Sequence, residues 1–141
     1  MQTILVVDDE PNYLIILSEL LRDEEYEVFT ANSGAVALKK ARETDLDLVI
    51  TDMKMPGMDG IELLSKLKEF NQYLPVILIT AYAEVGKAVE AMHLGAFTYL
   101  AKPFSNEELL ASVRKAVEHY GLVREIMRLR SEASHKSGFG G

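Results

Sequence analysis

Cysteine is absent from the 141 residues, which excludes a disulfide scaffold and any thiolate metal site and fits a reducing, cytoplasmic setting. No apolar run approaches the roughly 20 residues that a membrane span needs. The start, Met1-Gln2-Thr3-Ile4-Leu5-Val6-Val7, has no basic stretch and runs directly into Asp8, so it is not read as a signal peptide. Nor is there a block of clustered Lys and Arg. With 15 basic against 22 acidic residues the net charge is −7, a poor balance for holding DNA or anionic lipid directly. No internal repeat or low-complexity block interrupts the chain. The three histidines, His93, His119 and His135, have no metal-like spacing and are read as structural or surface residues.

What is present is the composition of one ordinary domain. Apolar residues make up 48% and charged residues 26%, enough to fill a single core and coat it. Five short apolar runs alternate with longer helical patterns: Thr3–Val7, Glu27–Thr30, Leu48–Thr51, Val76–Thr80 and Thr98–Leu100. Three of them are continuously apolar, as parallel strands buried on both faces must be. The weaker second and fifth suit the sheet edges. Pro11 is placed for a first helical position, Ser33 and Asp59 for N-caps, and Ser105-Asn106-Glu107-Glu108 for a capping box. Strict alternation of five strands with helices predicts a doubly wound α/β sheet.

The last helical pattern is longer than a sheet requires. Leu109, Val113, Ala116, Tyr120, Val123 and Met127 recur at steps of three and four, with Leu122, Ile126 and Leu129 beside them. Gly121 interrupts the pattern at a cost of about 1 kcal/mol relative to Ala. The expected division is a domain at 1–120, a helical extension or dimerisation stalk at 121–131 and a flexible tail at 132–141.

In an open parallel sheet, chemistry gathers at the carboxyl ends of the strands. Asp8, Asp9 and Glu10 follow the first run, Asp52 the third, Thr80 closes the fourth and Lys102-Pro103 follows the fifth. Taken singly each has another reading: helix N-terminal acids for Asp8 and Asp9, turn chemistry for Asp52, a strand-end hydroxyl for Thr80, a solvated charge for Lys102. Taken together they suit one reaction. If the first and third strands are neighbours, three carboxylates converge and a divalent cation with all-oxygen ligation, Mg²⁺, offsets their repulsion. One Asp52 oxygen then serves as a nucleophile toward phosphorus, with a hydroxyl and an ammonium for the phosphoryl oxygens.

Val6-Val7-Asp8-Asp9-Glu10, Thr51-Asp52-Met53 through Pro56-Gly57-Met58-Asp59-Gly60, Thr80-Ala81 and Lys102-Pro103-Phe104 together resemble the receiver domain of bacterial two-component response regulators, over about residues 2 to 120. The resemblance implies a five-stranded sheet in the order 2-1-3-4-5 flanked by five helices, and a phosphoacceptor at Asp52 served by a sensor histidine kinase. It implies Mg²⁺ bound by Asp9, Asp52 and the backbone carbonyl of Lys54, with Asp8 acting largely through water. Thr80 and Lys102 would contact the phosphoryl group, and Tyr99 would be the switch aromatic. Lys54 and Tyr82 would flank the approach of the hydrolytic water and tune the lifetime of the phosphorylated state. The family uses a cis bond at Lys102-Pro103 to aim the lysine.

A narrower likeness runs through Thr80–Met92, Gly95-Ala96-Phe97 and Leu100–Phe104, which are similar to receivers of the nitrogen-regulation type. Those precede an AAA+ ATPase that activates the alternative sigma factor and a helix-turn-helix. The implied function is a phosphorylation-controlled switch with self-catalysed phosphorylation and dephosphorylation, expected as a homodimer and not as a metabolic enzyme. A stand-alone phosphorelay receiver is the alternative within that class. Outside it stand an Asp-nucleophile phosphohydrolase, which would place a second acid where this chain has Lys54, and a flavodoxin-like FMN binder, which would need a Ser/Thr/Gly-rich loop after the first strand.

Overall fold

The structure is a computed structural model. It describes the backbone of residues 1–140, and the side chains apart from those of Tyr82 and residues 133–140. Five parallel strands, β1 (Thr3–Val7), β2 (Glu27–Ala31), β3 (Leu48–Asp52), β4 (Val76–Ala81) and β5 (Thr98–Lys102), form one sheet in the order β2-β1-β3-β4-β5. The helices between and after them are α1 (Pro11–Asp23), α2 (Gly34–Glu43), α3 (Gly60–Phe70), α4 (Val85–His93) and α5 (Asn106–Gly140). The weakly apolar runs lie at the edges, as their composition predicts.

Alternation along each strand divides the core. Leu5, Val7, Val49, Val76 and Leu78 meet α2 and α3 on one face, and Ile4, Val6, Ile50, Ile77 and Ile79 meet α1 and α5 on the other. Burial on both faces is why the middle of each central strand, residues 4–7, 48–50 and 76–79, is apolar. The helices start where local chemistry places them. Ser33 Oγ accepts from the Val36 N–H, Asp59 Oδ1 from Glu62 and Ser105 Oγ from Glu108, each satisfying a donor that the first turn leaves free.

One expectation about α5 needs correction. The apolar positions after Glu118 were expected to form a single stripe with no domain left to cover. Instead they divide into two faces. Tyr120 is buried in the domain's own core, and its hydroxyl accepts from Asn71 Nδ2 at 2.9 Å. Arg124 turns toward the domain: it pairs with Asp45 at 2.7 Å and Asp47 at 3.0 Å and lies over the Tyr120 ring. Val123 and Met127 follow on that side, lining a groove of about 400 Å³ with Tyr73. At about 100° per residue, Leu122, Ile126 and Leu129 fall on nearly the opposite side, and these three are exposed. The helix continues through Gly121. Of the expected tail at 132–141, all but Glu132 fall outside the described side chains, His135 among them.

Candidate functional site

The order of the strands builds the site. β1 and β3 are direct neighbours in register Val7↔Thr51, so Asp8 and Asp52 emerge side by side, with Asp9 one residue further. One carboxylate oxygen from each of Asp8, Asp9 and Asp52 lies within 4.8 Å of the others. Asp8 is buried, Asp52 half-buried and Asp9 exposed, so the cluster opens to solvent on the Asp9 side.

Burial sets the electrostatics. Asp8 is pushed up to about 6, first by loss of water and then, against a backbone hydrogen bond from Glu10, by the neighbouring Asp52 charge. Its Oδ1 accepts the Glu10 N–H at 2.9 Å, while Oδ2 is buried without a protein partner. Asp52 is also raised by burial, with Lys102 and the Met53 N–H opposing. Both acids are raised by loss of water, Asp8 buried with one oxygen that meets no protein donor and Asp52 half-buried beside it. The donor set is all oxygen, which suits a hard divalent ion.

The cationic partner comes from β5. Lys102 Nζ stands 3.9 Å from Asp52 Oδ1 and 4.3 Å from the centre of the Tyr13 ring. The Lys102-Pro103 peptide bond is cis, the isomer the resemblance implies. Thr80 is buried at the end of β4, its hydroxyl donating to the Ala81 carbonyl at 3.1 Å. Tyr99 is half-buried on β5 against the α3 side of the core. Lys54 stands apart: its ammonium pairs with Glu84 at 3.2 Å. The Tyr82 side chain lies outside the described residues, and its backbone belongs to a single 3-10 turn, Tyr82–Glu84, ahead of α4.

Sequence reasoning missed three contributors. Tyr13 lies against Lys102, and burial with the Asp8 and Asp52 charges pushes its phenol up to about 12, so it stays neutral. Gly60 belongs to a quoted motif, yet its role shows only in space: a Cβ there would meet the Asp52 carbonyl oxygen at 2.5 Å. Glu84 joins loops from two strands, and no local pattern marks such a pairing. Among the described residues no histidine joins a metal-capable cluster.

A doubly wound parallel sheet with carboxylates and a lysine gathered at its switch point defines a class of α/β domain. The chain belongs to the response regulator receiver domain family, whose model matches residues 4–114. It is thus the receiver domain of a two-component response regulator. It is 47% identical over 116 residues to the transcriptional regulatory protein ZraR of Klebsiella oxytoca, covering 82% of this chain and 26% of the relative. It is 42% identical to sporulation initiation phosphotransferase F of Bacillus subtilis, covering 81% of this chain and 92% of that protein. Among solved structures, NtrX from Brucella abortus in complex with ADP superposes with a TM-score of 0.86 at 33% identity, covering 92% of this chain and 30% of that one. The chain therefore spans about a quarter of the ZraR length. No helix among the described residues is long and apolar enough to cross a membrane.

Proposed function

We propose that Asp52 accepts a phosphoryl group from a sensor histidine kinase, and that this switches an effector module beyond the receiver. The convergence of Asp8, Asp9 and Asp52 within 4.8 Å beside Lys102 carries the reading. Asp52 Oδ attacks phosphorus; the bond from phosphorus to its former oxygen or nitrogen breaks, and the donor departs with that electron pair. Asp8, Asp9, Asp52 and the Lys54 carbonyl would hold Mg²⁺, which when bound supplies charge neutralisation at the phosphoryl oxygens. Lys102 balances charge on the phosphoryl group from the opposite side. Thr80 exchanges its Ala81 contact for a phosphoryl oxygen, and Tyr99 follows it inward. The chemistry is performed on the protein itself, with no separate substrate turned over as in a metabolic enzyme.

The effector is read as an AAA+ ATPase followed by a helix-turn-helix. ZraR, AtoC and NtrC, each matched over about a quarter of its length, are named as regulatory proteins, and NtrX is solved with ADP. With a net charge of −7 the receiver leaves DNA to that module and binds no membrane. The setting is cytoplasmic, and the pair of receivers is a homodimer joined through the exposed Leu122, Ile126 and Leu129 face of α5. The second reading, a stand-alone phosphorelay receiver, is favoured by the match over 92% of sporulation initiation phosphotransferase F. An immunoblot of the native protein separates them: a product much longer than 141 residues supports the first, one of about this length the second.

The phosphoacceptor is tested with acetyl phosphate and intact-mass measurement. The wild-type chain gains one phosphoryl group with Mg²⁺ and none with a chelator, and Asp52→Asn gains none. Undiminished labelling of Asp52→Asn would overturn the assignment.

A further inference from the structure

Glu84 is the N-cap residue of α4, yet its side chain makes no cap hydrogen bond. Its two oxygens are used elsewhere. Oε1 meets Lys54 Nζ at 3.2 Å, and Oε2 meets Lys87 Nζ at 3.3 Å. Lys87 is a neighbour on the same helix, three residues on, but Lys54 belongs to the loop after β3. The Lys54–Glu84 pair therefore joins the loops that follow β3 and β4, the adjacent strands that carry Asp52 and Thr80. It crosses the end of the sheet where Thr80 must approach a phosphoryl group on Asp52. A helix N-terminus normally gains from an anion of its own. Here that anion is shared with two lysines, and one of those lysines lies two residues from the phosphoacceptor.

We propose that Glu84 is a positioning residue that competes with the phosphoryl group for Lys54, tethering the two loops before phosphorylation and releasing them after it. The inference rests on Asp52 being the phosphoacceptor. A phosphoryl group brings close to two negative charges, more than one shared carboxylate offers. Lys54 has the reach and freedom to exchange, since its side chain is 75% exposed. Glu84 then keeps Lys87, which holds its charge balanced at the start of α4 and leaves that helix free of the β3 loop. Phosphorylation thus removes one restraint on the loop between Thr80 and α4, the element that Thr80 itself must pull. The same competition keeps Lys54 away from incoming donor, so the tether also sets how readily Asp52 is charged.

The test is a mutant cycle read by intact-mass time courses with subsaturating acetyl phosphate and Mg²⁺, followed by donor removal. Glu84→Gln should raise the phosphorylation rate about two- to fivefold and slow the decay by a similar factor, the scale of one exposed ion pair. Lys87→Ala leaves Glu84 to Lys54 alone and should shift both rates in the opposite direction. In a Lys54→Ala background Glu84→Gln should change neither rate, because the contested partner is gone. A merely structural Glu84 would give equal effects in both backgrounds. Equal effects, or wild-type rates in Glu84→Gln, overturn the tether while Asp52 still labels. If wild-type Asp52 fails to label at all, the reading of the site falls and the tether with it.

Discussion

Asp8 takes the buried end of the carboxylate cluster, and its pH behaviour follows from that position. Its folded value is raised to about 6 from an ordinary 3.8, so between those values the folded state holds a proton that the unfolded chain releases. The contribution to stability is full below about 3.8 and is lost as pH rises through about 6, at most about 3 kcal/mol in all. In chelator, Asp8→Asn should therefore melt higher than the wild type at pH 7.5, and the difference should vanish below pH 4. With Mg²⁺ the order should reverse, because the variant lacks one anionic ligand; thermal melts by circular dichroism report both. Gly60 supplies a second test at this scale. A methyl group at 60 would collide with the Asp52 carbonyl oxygen at 2.5 Å and the Met53 Cα at 2.8 Å, neither of which can yield without moving the phosphoacceptor. Gly60→Ala should cost about 1–3 kcal/mol in urea unfolding and slow the labelling of Asp52. The candidate residues Asp8, Asp9, Asp52, Thr80 and Lys102 were legible because strand ends announce themselves in sequence. Gly60, Tyr13 and Glu84 were not, because a close backbone approach, a ring under a lysine and a bridge between loops exist only once the chain has folded.

At the scale of the element, α5 shows what periodicity conveys and what it omits. Steps of three and four identified the helix and its length beyond the sheet. They did not reveal that Tyr120 returns to the core or that Arg124 binds Asp45 and Asp47. Aspartates in the loop before β3 look like ordinary turn residues until Asp47 is seen accepting from both the Thr3 N–H and Arg124. That arrangement ties α5 to the amino end of β1. Tyr120→Phe removes the Asn71 hydrogen bond and should cost about 1 kcal/mol; Tyr120→Ala empties a buried aromatic site and should cost about 3–5 kcal/mol in the same urea titration. Arg124→Ala should change global stability little, since exposed pairs contribute under about 1 kcal/mol. It should nevertheless speed amide hydrogen exchange from Gly121 to Arg130, where the helix has lost its anchor. Unchanged exchange there would mean that the clamp does not hold the helix.

For the whole molecule, strand order and the two-faced core were legible because the middle of each central strand is apolar and α2, α3 and α5 each open on a side-chain cap. The division of α5 was not, since one apolar stripe in sequence proved to be two faces in space. The outer face of α5, Leu122, Ile126 and Leu129, is exposed and is the face proposed to meet a partner copy. Sedimentation of Ile126→Glu with Leu129→Glu should give monomers where the wild type self-associates, with the domain's melting temperature retained. Monomeric wild type across the micromolar range, with and without phosphoryl on Asp52, would remove the homodimer.

The central claim is that one carboxylate of three receives the phosphoryl group, and borohydride trapping addresses it most directly. An acyl phosphate is reduced to the alcohol while free carboxylates are spared, so peptide sequencing by mass spectrometry locates the phosphorylated residue. After acetyl phosphate and Mg²⁺, homoserine is predicted at position 52 and at neither Asp8 nor Asp9, with none formed in chelator. Homoserine at another acid, or an equal yield without the metal, would contradict the account.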